Sequence, residues 1–276
     1  MINLNTVIDA AARQRLVTGQ QAETLRPRLE ERFLPLDTQD VTIPDDLWPH
    51  IFLELYGLAT GTSTNVGINE ARQRIAALKI EELLKVHERL QDNFERRNWV
   101  LAVALLAGGT VRAWQTKLLD AIKRLILSQF VLGSGRVPTT AELAILTEKV
   151  KREAAFLKRF ALTVALSLSG QSSGPASEAS ISSRGSLYSG VARGTFYQAM
   201  EDRIDQLTDQ REGWVMEYIP RDDVATCTPC SKARGFYLIG AGPYPGQVCE
   251  GRGRCRCQRV PRFLPNIFRS LHTLHY

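Results

Sequence analysis

Apolar residues recur along most of this chain with the period of a helix. Ile68, Ala71, Ile75 and Leu78, then Leu83, Val86, Leu90 and Phe94, follow one another at three- and four-residue steps, which puts them on one helical face. Gly108-Gly109 interrupts the run. Val111, Trp114, Leu118, Ile122 and Leu125 form the next stripe, which stops at Gly133-Ser134-Gly135. Pro138 and Thr139, with Glu142 at the third helical position, carry a helix-start signature in which Thr and Glu side chains satisfy each other's free backbone N–H groups. The stripe that follows is Leu143, Leu146, Val150, Leu157, Phe160 and Val164, and a last one runs Leu187, Val191, Tyr197, Met200, Ile204 and Leu207 toward Gly213. Upstream, Met1–Leu16 and Thr18–Phe33 are predicted as short helices, the second opened by Thr18 with Gln21 three residues on, before Pro35, Pro44 and Pro49 punctuate a connection.

The pattern changes twice. Ser169 to Ser186 holds eight serines, three glycines and Pro175; so little apolar surface predicts a flexible linker, or an arm that orders on a partner. After Gly213 the period shortens, and Trp214–Ile219, Gly235–Ile239 and Cys257–Val260 read as short strands separated by turns such as Gly242-Pro243 and Pro245-Gly246. The expected architecture is mainly α: a helical segment over 1–60, a helical domain over 61–168, the linker over 169–186, and a helix with a small β-rich, cysteine-clustered basic cap over 187–276. A sheet that small lacks the buried area to stand alone.

All five cysteines lie in that cap: Cys227, Cys230, Cys249, Cys255 and Cys257. Thiols used as small core hydrophobes would scatter, so clustering points to joint use of a metal. C-x-x-C lets two thiolates grip an ion from one turn, and a second group across a loop of about twenty residues completes a tetrahedral zinc site. In an extended C-x-C, Cys255 and Cys257 share a face and Arg256 points away. Cys227 and Cys230 are the firmest ligands; four of the five thiols suffice, and spacing does not say which one is left over. A disulfide framework of two bridges and one free thiol is the alternative, but the chain begins without the charged and apolar regions of an export signal. A redox C-x-x-C would be expected near a βαβ pattern, which these short strands do not offer. A catalytic metal would need an open position and a nearby acid or base; His50, His87, His272 and His275 all lie outside the cysteine window, and Asp222, Asp223 and Glu250 read as surface carboxylates beside a basic loop. No catalytic residue is assigned.

Of 276 residues, 44% are hydrophobic and 23% charged, enough to bury a core in one or two domains. The longest apolar run, Trp99 to Ala107, falls far short of the ~20 residues that span a bilayer, so no membrane partner is expected. The formal net charge is +6, concentrated at the C-terminus, where Arg252, Arg254, Arg256, Arg259, Arg262 and Arg269 face a single acid, Glu250. Such a patch attracts phosphate backbone or an acidic protein surface; solubility and local ion pairing account for it equally well.

The order Trp214, Asp222-Asp223, Cys227-x-x-Cys230, Gly235, Pro245-Gly246, Cys249 and Cys255-Arg256-Cys257 resembles the C-terminal motif of minor head proteins of tailed bacteriophages, the head morphogenesis proteins similar to the F protein of phage Mu. Glu142-Leu143, Phe156-Leu157-x-x-Phe160-Ala161, and Arg184-x-x-Leu187-Tyr188 with Ala192-Arg193 extend the resemblance more weakly upstream, to roughly residues 140–260. Many members have a histidine before the final C-R-C, where this chain has Cys249. The resemblance implies a non-enzymatic structural component of the virion. It would be present in few copies, in the head interior or at the portal vertex, and in the host cytoplasm during assembly, with portal or major capsid protein as partner and packaged DNA second. Zinc would be its structural cofactor, and Arg252, Arg254, Arg256, Arg259 and Arg262 would carry partner or DNA binding. The rival expectation is a zinc-stabilised DNA-binding regulator, which would need a basic recognition helix; the acidic helix from Leu187 to Gln210 matches this poorly.

Overall fold

A computed structural model of the protein describes residues 41–62, 66–207, 213–222, 226–250, 255–264 and 266. The helices expected over Met1–Leu16 and Thr18–Phe33 lie outside these residues, as do Arg252, Arg254 and Arg269. The described residues form eight α-helices and one three-stranded sheet: α1 (Leu47–Thr60), α2 (Ile68–Ala76), α3 (Ile80–Leu106), α4 (Val111–Ser134), α5 (Thr140–Leu168), α6 (Glu178–Gly185), α7 (Ser189–Leu207), β1 (Trp214–Ile219), a one-turn α8 (Thr228–Lys232), β2 (Gly235–Leu238) and β3 (Gln258–Phe263). The fold is mostly helical with a small C-terminal antiparallel sheet beside the cysteines.

Local signals set the helix ends. Thr139 Oγ1 accepts from Glu142 N while Glu142 Oε2 accepts from Thr139 N at 2.7 Å, and Gly135, at φ 73°, closes α4 in the left-handed region that glycine tolerates. The predicted stripes are the buried ones: Ala71, Ile75, Leu83, Val86, Leu90, Phe94, Trp114, Leu118, Leu146, Val150, Leu157 and Phe160 all sit in one core. α4 is the axis of that core. From Leu125 to Ser134 every residue is buried, because α3, α5 and α7 pack around it. α4 and α7 approach tightly at Gly133, where a Cβ would lie 2.6 Å from the Phe196 carbonyl oxygen.

The segment expected as a flexible arm is partly helical and packed. Ser177 caps α6 by accepting from Ser180 N, Ile181 is fully buried, and Asn98 of α3 donates to Ser182 O at 2.7 Å and Ser186 Oγ at 3.3 Å. Serines that satisfy helix ends and bridge helices replace the missing apolar area. α7 then faces two ways. One side packs on α4; the other carries Gly190, Gly194 and Glu201 against the cap, with Gly190 O 2.8 Å from the place of a Cβ on Gly246, and Gln247 over Gly194. The sheet runs β2-β1-β3, antiparallel throughout, with Val215 opposite Leu238 on one side and Arg262 on the other.

Candidate metal centre

Three short pieces of backbone deliver the thiols. Cys227, extended at φ −74° and ψ 155°, is the residue before α8, and Pro229 in its first turn presets the helical φ. Ser231 N donates to Cys227 O at 3.1 Å, so Cys227 and Cys230 sit on one tight turn. Cys249 follows the Pro245-Gly246 turn docked on α7. Cys255 and Cys257 lead into β3, both buried with Arg256 exposed between them, the alternation expected of an extended C-x-C.

These pieces converge. The Sγ atoms of Cys227, Cys230 and Cys249 lie within 4.8 Å of one another, as do those of Cys230, Cys255 and Cys257. Cys230 belongs to both triads. Cys227 and Cys249 sulfurs are 3.8 Å apart, close to the separation that a Zn–S bond of about 2.3 Å sets between tetrahedral thiolates. All five are free thiols rather than disulfides. The donor set is soft and sulfur-only, which suits Zn²⁺ or another thiophilic ion and not Mg²⁺ or Ca²⁺.

The surroundings are low in polarity. Tyr218, fully buried on β1, donates its hydroxyl to Cys230 Sγ at 3.4 Å. Burial pushes the Cys230 thiol up to about 11, and the Cys255 thiol together with burial raises Cys257 further. At Cys227, burial also pushes upward, but backbone N–H groups of Cys230 and Glu250 and the neighbouring thiols outweigh it and hold this thiol below its ordinary range. An ion bound here must displace protons from thiols reluctant to give them up, so occupancy falls with acid. A buried positive charge stands nearby. Arg193 on α7 is 3% exposed; burial works against its charge, and Glu88 at 2.9 Å, Tyr197 and Cys255 more than offset that.

Of the arginines expected as a binding patch, the three described ones, Arg256, Arg259 and Arg262, stand in different surroundings. Arg259 is the correction: it is fully buried and paired through Nε with Glu201 of α7, itself 1% exposed. Its Nη1 donates to Pro243 O at 3.0 Å, its Nη2 donates to Ala241 O, and its guanidinium lies 4.6 Å from the Tyr244 ring centre. Glu201 Oε2 in turn accepts from Gly240 N at 2.7 Å and Tyr244 OH at 3.1 Å. Fully buried and bonded through all three of its nitrogens, Arg259 is not on the surface a partner would meet; it fastens the cap to α7. Arg262 is half-exposed and bonds Glu217 at 2.8 Å on the neighbouring strand, and Arg256 is exposed. Asp222 pairs with Arg234.

Histidine takes no part among the described residues. His87 is buried in the helical core, stacked on Phe196 at 4.1 Å, with Nδ1 2.7 Å from Gln129 Oε1 and Nε2 3.2 Å from Arg193 Nη1. Burial and the Arg193 charge hold it well below the usual imidazole range, so it is neutral. Tyr218, which caps Cys230, and Glu201, which holds Arg259, carry no sequence signal of these roles. Among the described residues no helix is long and apolar enough to cross a membrane. No protein family, curated protein or solved structure matches the chain.

Proposed function

We propose that this chain is a minor head protein of a tailed bacteriophage, a structural component acting in head morphogenesis at or near the portal, with a C-terminal cap pinned by one zinc ion. The observation that carries the reading is the cysteine string: the residues that resemble the head-protein motif, from Cys227 to Cys257, are the ones whose sulfurs gather in two triads through Cys230. Zinc would be held by four of these thiolates and would supply cohesion only, because a site closed by four thiolates leaves no position for substrate.

A protein partner, portal or major capsid protein, is preferred over packaged DNA. Arg259 is withdrawn into the cap and Arg262 is paired with Glu217, which thins the positive surface that a phosphate backbone requires. Trp99, Val100 and Val103, within five positions of α3, are 47%, 62% and 40% exposed; uncovered apolar side chains favour a protein partner over a phosphate backbone. The test is co-expression with portal and major capsid proteins of a tailed bacteriophage, followed by density-gradient sedimentation. The chain is expected in the head fraction at a few copies per particle; a chain that stays with soluble protein, or is held on DNA by sequence, removes the proposal.

A further inference from the structure

Five thiols meet where a tetrahedral ion takes four, and they are not equivalent. Cys230, Cys255 and Cys257 are 1%, 2% and 4% exposed, whereas Cys227 and Cys249 are only half-buried. These two outer sulfurs lie 3.8 Å apart. They sit on separate surface pieces of chain, one at the start of α8 and one after the Pro245-Gly246 turn.

We propose that Cys227 and Cys249 form an oxidation site: a hydroperoxide oxidises Cys227, Cys249 closes a disulfide onto it, and the bridge withdraws these two sulfurs from the triad they share with Cys230. The metal part rests on the zinc reading above; the thiol chemistry stands without it. In the first step the Cys227 thiolate attacks the terminal oxygen of the hydroperoxide, the O–O bond breaks, and an alcohol departs with a proton, leaving a sulfenic acid. The Cys249 thiolate then attacks that sulfur, the S–O bond breaks, hydroxide takes a proton and leaves as water, and the S–S bond forms. Two thiols and one hydroperoxide thus give one disulfide, one alcohol and one water, with two electrons passing from the sulfurs to the O–O bond.

The inner thiols are disfavoured on physical grounds. An S–S bond is about 2.05 Å long, so the outer sulfurs need only close the difference from 3.8 Å. Cys230 is capped by the Tyr218 hydroxyl, and Cys255 and Cys257 are shielded from oxidant, on which reactivity depends. The cap would therefore be metal-pinned in a reducing cell and covalently closed in oxidising surroundings.

The test uses the full chain, purified in reductant with zinc, exposed to equimolar hydrogen peroxide, alkylated in denaturant and digested with trypsin. Cleavage after Arg254, Arg256 and Arg259 places Cys255 and Cys257 on separate peptides, and fragment ions separate Cys227 from Cys230. The thiol titre is expected to fall from five to three per chain, with Cys227 joined to Cys249. Cys249→Ser is expected to leave a dimedone-reactive Cys227 that cannot form the bridge. Five thiols surviving, a bridge between Cys227 and Cys230 or between Cys255 and Cys257, or no dimedone adduct at Cys227 in Cys249→Ser overturns the proposal. A Cys227–Cys249 bridge in a protein that never held zinc supports the oxidation site and sinks the metal reading; zinc without that bridge does the reverse.

Discussion

Replacing Glu201 by Ala measures how firmly the cap is held to the helical core. The substitution removes the partner of a fully buried Arg259 and strips acceptors from Gly240 N–H, at 2.7 Å, and Tyr244 O–H, at 3.1 Å. Breaking a buried pair by deleting one member costs about 3–5 kcal/mol, because the remaining charge is left uncompensated. Gly240 is exposed and Tyr244 half-buried, so water reaches these two donors and their loss adds less than the ~1–3 kcal/mol of a buried orphan. These penalties overlap, and Arg259 keeps its two carbonyl acceptors at Pro243 and Ala241, so the expected net loss is about 4 kcal/mol. Urea titration at fixed zinc and reductant, followed by circular dichroism, reads this loss as a fall in midpoint. Arg259→Ala should lose a comparable amount, and the double variant much less than the sum, since the two side chains act as a unit. Arg256→Ala, at an exposed site, should stay within about 0.5 kcal/mol of the parent. A loss below about 1 kcal/mol in Glu201→Ala would refute the latch and return Arg259 to the surface patch.

Gly133→Ala should destabilise by about 1–3 kcal/mol, because its Cβ would meet the Phe196 carbonyl oxygen at 2.6 Å and push α4 from α7; an unchanged melting temperature would contradict that packing. Thr139→Ala should cost about 1 kcal/mol by removing the cap at the start of α5, read in the same urea assay. The pH dependence has a definite sign. His87 is held neutral in the fold, with a folded pKa below its ordinary 6.5, so its contribution is present above that value and lost as the unfolded chain takes up protons below it, by at most about 1.4 kcal/mol per pH unit. Glu142, held down at about 2 by Arg136, adds a second loss that begins lower, as pH falls below the ordinary 4.5 and toward 2. Stability that rises between pH 7 and 5 would contradict the neutral His87. Cys230→Ser should weaken metal binding more than Cys249→Ser, because Cys230 belongs to both triads; competition with a chromogenic chelator ranks the two.

What could be read from the chain alone was what depends on near neighbours. Leu83, Val86, Leu90 and Phe94 are buried as their spacing required, and Thr139 with Glu142 caps α5. The strands near the cysteines fall within a few residues of their expected places, and Cys255 and Cys257 share a buried side. What failed depends on partners distant in sequence. Arg259 reads as one more charge in a basic run, and only folding brings Glu201, 58 positions away, against it. The serine-rich segment reads as unstructured because composition measures apolar area; it cannot register that Asn98, 84 residues upstream of Ser182, supplies hydrogen bonds instead. α4 showed one stripe, yet Leu119, Ile126, Leu127 and Leu132 are buried on its other sides, since a central helix has no polar face to define a period.

The most direct test of the account is the zinc content and free-thiol count of the full chain purified under reducing conditions. About one zinc per chain is predicted, with chelation abolishing the sheet signal while the helical signal persists. A chain that holds no metal, exposes all five thiols to alkylation without denaturant, and keeps its sheet in chelator would contradict a metal-pinned cap.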